Sequence, residues 1–100
     1  KHGSIALITE GTPCIVFFSK ENERETLNNV MEVKARGAYV IGIGPKNNEA
    51  FDFFIKVAEA ENFNSILQII PVQILSYQLA LLRDCNPDKP RNLAKSVVVK

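Results

Sequence analysis

An α/β fold with a parallel sheet is expected from three features of the sequence. Two continuous apolar runs, Pro13–Ser19 and Ala38–Gly44, read as buried strands. A segment with apolar residues at helical spacing lies between them. A third, partly alternating run follows and leads into a long apolar helix. Strand, helix, strand, loop, strand, helix is the order of such a domain, and right-handed crossovers would lay its helices over the sheet.

Each element has a local reason. "PCIVFFS" is bounded by the turn residues Gly11-Thr12-Pro13, and a run this apolar suits a strand covered on both faces. In "KENERETLNNVMEVKAR", Leu27, Val30, Met31 and Ala35 recur on one helical face. Glu21, Glu23 and Glu25 place acid where a helix amino terminus favours it. Ser19 is the expected N-cap and Gly37 the closing glycine. "AYVIGIG" is the second strand, ended by Gly44-Pro45. "KNNEAFD" is polar enough for a loop or one helical turn. Phe53–Ala60 is the third strand, nearer a sheet edge. Ser65–Arg83 is a helix apolar nearly all round and so expected to be largely buried, kinked or split at Pro71. Three strands make a small sheet, and this helix lacks partners within one hundred residues. Further strands, another domain or another subunit are therefore expected outside the sequence.

The composition bounds the function. Twelve basic against eleven acidic residues leave a net charge of +1, which disfavours a large basic surface for nucleic acid or lipid headgroups. Cys14 and Cys85 fit no metal spacing and are expected as free thiols in a reducing, cytoplasmic setting. The one histidine, His2, leaves a metal site short of ligands. No secretory leader is visible. Ile66–Leu82 is interrupted by Gln68, Pro71, Gln73, Ser76 and Gln78 and reads as too polar and too short for a membrane span, so none is expected. The first residues, Lys1-His2-Gly3, suggest a piece of a longer polypeptide.

Few residues point to chemistry by themselves. Gly42-Ile43-Gly44 follows a strand, but Asn47 stands where a dinucleotide loop needs glycine and Pro45 removes an N–H. A strand-end turn is the favoured reading. Glu59 and Glu61 fit a solvated face better than a catalytic carboxylate pair. Lys95 stands between Leu93-Ala94 and Ser96-Val97-Val98-Val99, apolar flanks that would hold its amine if they dock. A free lysine has a pKa near ~10.4, so only about one amine in 2,500 is neutral and nucleophilic at pH 7. Burial, or the cations Lys89 and Arg91, would raise that fraction. An ordinary solvated terminal lysine is the competing reading, and His2 taken alone has no visible partner as an acid or base.

Three stretches together carry a resemblance. "KHGSIAL" (residues 1–7) is similar to the KHGPLAL segment of the glutamine–fructose-6-phosphate aminotransferase family. "VMEVKARGAYVIGIG" resembles that family's EEVRARGG stretch and the strand after it. "PVQILSYQLALLRDCNPDKPRNLAKSVVVK" (residues 71–100) resembles its terminal helix and tail, and Asp88 to Val97 is the specific part. The order is kept along the whole length. The resemblance implies a sugar isomerase (SIS) fold, with residues 1–88 as a carboxyl-terminal subdomain and 89–100 as a catalytic tail.

It also implies an activity. The isomerase half of these enzymes converts fructose 6-phosphate, with ammonia from a separate glutaminase domain, to glucosamine 6-phosphate, and no cofactor is implied. The family lysine matching Lys95 forms the imine with the open-chain ketose. The histidine matching His2 promotes ring opening in the neighbouring subunit's site, so a homodimer is expected. Ala94, through its main chain, together with Lys1 and Arg91, is expected at the substrate. Arg91 and Asn92 would also fix the path of the tail. Nucleic acid and membrane are not expected partners. Two departures stand out: Ser4 replaces the family proline, and Lys100 replaces its terminal acid. The family's phosphate-binding Ser/Thr loop and glutamate base are expected upstream of Lys1, so these residues alone are expected to be inactive. A phosphosugar-sensing module and a related deglycase or phosphosugar isomerase are the alternatives.

Overall fold

The computed structural model describes residues 2–89 and Arg91. Its elements are α1 (His2–Ile5), β1 (Pro13–Phe17), α2 (Glu23–Lys34), β2 (Tyr39–Gly44), β3 (Phe53–Lys56), a 3-10 turn (Glu61–Phe63) and α3 (Asn64–Leu82). The strands form one parallel sheet in the order β1-β2-β3. The parallel α/β architecture read from the sequence is therefore what forms. The chain divides into two compact units, Lys1–Ile69 and Ile70–Lys100, and α3 spans the division.

The core of the first unit lies on one face of the sheet. Register pairs Cys14 with Val40, Val16 with Gly42, and Gly42 with Phe54, so these side chains share a face. Val40 is fully buried there, and against this face sit Phe18, Val30, Ala38 and Phe51, all buried, ringed by Leu27 and Val33 of α2. The glycines of "GIG" serve this packing. A Cβ at Gly42 would come within 2.5 Å of the Phe51 ring, and one at Gly44 within 2.5 Å of the Phe18 ring. Both lie inside β2, so the strand-end turn inferred for them gives way to ring packing against bare backbone. Phe18 and Phe51 pack with ring centroids 5.2 Å apart, and Phe51 stacks on Phe54 at 6.2 Å.

Asp52 fastens the same region. Its Oδ2 accepts the Val40 N–H at 2.7 Å, and Lys34 Nζ of α2 lies 3.4 Å from its Oδ1. That N–H chiefly holds the carboxyl below its ordinary pKa. Partial desolvation opposes the effect, and the charge of Lys34 adds to it.

Several expectations are corrected. β1 is not buried on both faces: Cys14 and Val16 pack against the core, whereas Ile15 and Phe17 on the other face are exposed among the described residues. β3 ends at Lys56 rather than Ala60, where the chain leaves for the loop before the 3-10 turn. Asn22, not Ser19, occupies the N-cap of α2, and its side chain accepts from the Ser19 N–H at 2.7 Å instead of capping the helix. Gly37 does close α2, at φ +93°. Its N–H bonds to the Lys34 carbonyl and that of Ala38 to Val33, the paired bonds of a Schellman turn.

The largest difference concerns α3. It runs unbroken through Pro71, and its one buried residue is Gln68; Ile66, Ile70, Ile74, Tyr77 and Leu82 are exposed. Composition suggested burial, whereas among the described residues these side chains are open. With its 3-10 lead-in the helix spans 22 residues, long and apolar enough by length and composition to cross a membrane. The stretch is therefore not too short, contrary to the sequence reading, and what remains against a span is Pro71 and the polar residues within it.

Candidate functional site

The sequence-predicted site residues fall in three places. His2 begins α1, a four-residue helix that had no counterpart in the sequence reading. Lys1, Ala94 and Lys95 lie outside the described residues. Arg91 lies in the second unit and is exposed.

The approach to Arg91 is built locally. α3 ends at Leu82, and Asp84 takes a left-handed conformation, φ +56°. Its N–H bonds to the Leu81 carbonyl, and that of Cys85 to Ala80 at 2.8 Å, which is again a Schellman turn. Asn86-Pro87-Asp88-Lys89 then forms a β-turn with proline at its second position. The Asn86 side chain accepts the Asp88 N–H at 2.9 Å, and the Lys89 N–H reaches the Asn86 carbonyl. Two turns in succession fold the chain back beside the end of α3. Ala80, Asp84, Cys85, Asn86, Lys89 and Arg91 line the resulting cavity of about 640 Å³. A guanidinium and an ammonium beside a single carboxylate suit an anionic group.

The first unit has its own cleft, about 330 Å³, at the carboxyl ends of the strands, where open α/β sheets place ligands. Phe17, Phe18 and Ser19 leave β1 there, Glu21 and Asn22 lead into α2, and Glu61, Asn62, Asn64, Ser65 and Gln68 close the other side. Among the described residues its lining is amide, hydroxyl, carboxylate and aromatic. Gln68 donates to the Phe18 carbonyl at 2.6 Å and fixes the start of α3 at the end of β1. Asn64 Oδ1 accepts from the Ala60 N–H at 2.7 Å, and its Nδ2 donates to Glu59 Oε1 at 2.7 Å. Glu59 Oε2 is buried without a partner among the described residues, and Glu61 sits at φ +48°.

Sequence reasoning missed Gln68, Asn64 and Asn22. A polar residue inside an apolar run was the available signal for Gln68, since a buried amide must find a partner. Glu59, set aside as a solvated position, is instead half-buried and tied to Asn64. Cys14, half-buried, and Cys85, exposed, are free thiols.

Comparison with known proteins adds the context. The SIS domain family matches residues 1–83. The chain is 50% identical over 105 aligned residues to a protein of Pyrobaculum aerophilum named glutamine–fructose-6-phosphate aminotransferase (isomerizing), covering 100% of this chain and 17% of that protein. Proteins of the same name from Oceanobacillus iheyensis and Pyrococcus horikoshii are 47% and 40% identical over 102 and 104 residues, with the same coverage. The chain thus spans about a sixth of the length of the curated relatives it matches.

Proposed function

The chain belongs to the SIS domain family, and from that premise we propose that it is the carboxyl-terminal part of the isomerase half of an enzyme that makes glucosamine 6-phosphate from fructose 6-phosphate and glutamine-derived ammonia. One observation carries the reading. The family match ends at residue 83, whereas the similarity to the aminotransferases covers the whole chain and so includes "DKPRNLAKSV". A module that only senses a phosphosugar has no need of that tail.

In this reading the tail delivers Lys95 to the substrate carbonyl. Its neutral amine adds to C2 of the open-chain ketose, and loss of water leaves the imine. Nearby cations favour the neutral amine, and Lys89 and Arg91 precede Lys95 closely in the sequence. Arg91 also offers a guanidinium to the phosphosugar. His2 acts as acid and base in ring opening at the partner subunit's site, which requires a homodimer. Lys1 and the main chain at Ala94 hold the sugar. The phosphate loop, the glutamate base and the glutaminase domain come from elsewhere in the longer protein, in the cytoplasm. The 100 residues alone do not turn over. Each missing acid or base group is worth about 10²–10⁴-fold in rate.

Borohydride reduction of the full-length protein with labelled fructose 6-phosphate tests this. Label is expected on Lys95, and Lys95→Arg is expected to abolish trapping and lower turnover at least ~10³-fold while fold and assembly persist. Label on another residue, or turnover surviving in Lys95→Arg, overturns the assignment.

A further inference from the structure

The stretch that follows α3 is tied down where a connector is usually free. Arg83, Asp84 and Cys85 donate their N–H groups to the carbonyls of Leu79, Leu81 and Ala80. Asp88 donates to the Asn86 side chain at 2.9 Å and Lys89 to the Asn86 carbonyl at 3.3 Å, while Pro87 has no N–H to place. Asn86 therefore accepts twice, once through its side chain and once through its main chain. All these bonds join residues no more than five apart, so they hold independently of what surrounds them. Asp84 even holds φ +56°, a conformation that costs a residue with a side chain, to begin the reversal. Such order has a use where the residues beyond it must arrive at one place.

We propose that Asn86 is a positioning residue for the imine: the turn it closes fixes the point from which the chain leaves for Lys95. The inference rests on Lys95 being the imine-forming residue. The physical basis is local concentration. Lys95 lies six residues beyond Lys89 and thirteen beyond Leu82. With the turn closed, six residues tether the amine, a reach of at most about 22 Å. With the connector open back to the helix end, thirteen do. The local concentration of the amine at a fixed carbonyl then falls with about the −3/2 power of length, roughly threefold. Opening also removes the direction in which the chain leaves Lys89, and an amine must meet a carbonyl in line as well as in range. Asn86 acts through its acceptor oxygen and Pro87 through its fixed φ, and neither has to touch the sugar.

The test uses the full-length protein with labelled fructose 6-phosphate at saturation. Quenching with borohydride at successive times gives the rate of imine formation at Lys95. Asn86→Ala combined with Pro87→Gly is expected to slow it at least about threefold. Asn86→Asp keeps an acceptor oxygen in the same place and is expected to stay within about 1.5-fold of the unsubstituted rate. A turn that served stability alone would lower the thermal midpoint and leave this rate unchanged. Asn86→Ala by itself is expected to be about twofold slower than Asn86→Asp, which carries the test if the combined variant fails to fold. A combined variant less than threefold slower, or Asn86→Asp as slow as Asn86→Ala, overturns the proposal, and label on Lys95 in the same samples leaves the imine reading standing. No label on Lys95 in the unsubstituted protein overturns both.

Discussion

α2 and α3 make an instructive pair. α2 is the more polar helix, with five charged residues in twelve, yet it places Val30 at 1% exposure and packs Leu27 and Val33 into the core. α3 has no charged residue in nineteen, and its only buried side chain is an amide. Burial therefore follows from what lies opposite a helix, not from how apolar the helix is. α2 is amphipathic and meets a sheet face cut to its stripe. α3 is apolar all round, so its sequence favours no face, and its anchor in the first unit is the hydrogen bond from Gln68 to Phe18.

Paired truncations break the comparison if it is wrong. Val30→Ala removes two buried methyls and leaves a cavity, with an expected loss of about 2 kcal/mol. Ile74→Ala at 58% exposure deletes more carbon but is expected to cost less than about 0.5 kcal/mol in this chain. Urea unfolding of the two variants decides it. Equal losses would mean that α3 is covered. In the longer protein, the Ile74 value should rise toward the Val30 value if another part of the molecule receives the helix.

A pH titration sharpens it further, because α2 is tethered by an ion pair and α3, at Gln68, by a neutral amide. Asp52 has its pKa lowered by the Val40 N–H and then by Lys34. A carboxyl depressed in the folded state contributes its stability above the unfolded value of about 3.9, and that stability fades as pH falls through the lower folded value. Asp52→Asn should therefore lower stability at pH 7 and flatten the acid limb of the unfolding curve below about pH 4. The Gln68–Phe18 bond should show no such dependence. An acid limb unchanged in Asp52→Asn would remove Asp52 as the tether.

How much of this was readable beforehand divides along the same line. The parallel sheet, α2 with its apolar stripe and Gly37 as its closing residue were legible, because period, acid placement and glycine act locally. The exposure of β1 and α3 was not, because it depends on what lies opposite them. Nor was the pairing of Gln68 with Phe18, fifty positions apart. The glycines of "GIG" looked like a loop signal because the rings that require them come from Phe18 and Phe51, outside the motif. For the candidate site, the Lys95 tail was legible only through resemblance. The Asp84 and Asn86 turns that lead toward it are local chemistry that could have been read.

The two helices also differ in how they end. Both close in Schellman turns on a left-handed residue, glycine for α2 and aspartate for α3. Gly37 is constrained twice: at φ +93° a side chain is strained, and a Cβ would lie 2.9 Å from the Glu10 Cα. Gly37→Ala is therefore expected to lose more than the roughly 1–2 kcal/mol that the left-handed conformation alone costs. Asp84 bears the conformational cost without a glycine's freedom, though aspartate tolerates this region better than most residues. Asp84→Gly should raise stability by about 0.5–1 kcal/mol, set against the greater unfolded-chain entropy of glycine. Thermal unfolding of the variant reads the sign directly. A loss would mean that the Asp84 carboxylate, which lines the cavity with Lys89 and Arg91, contributes more there than its backbone costs.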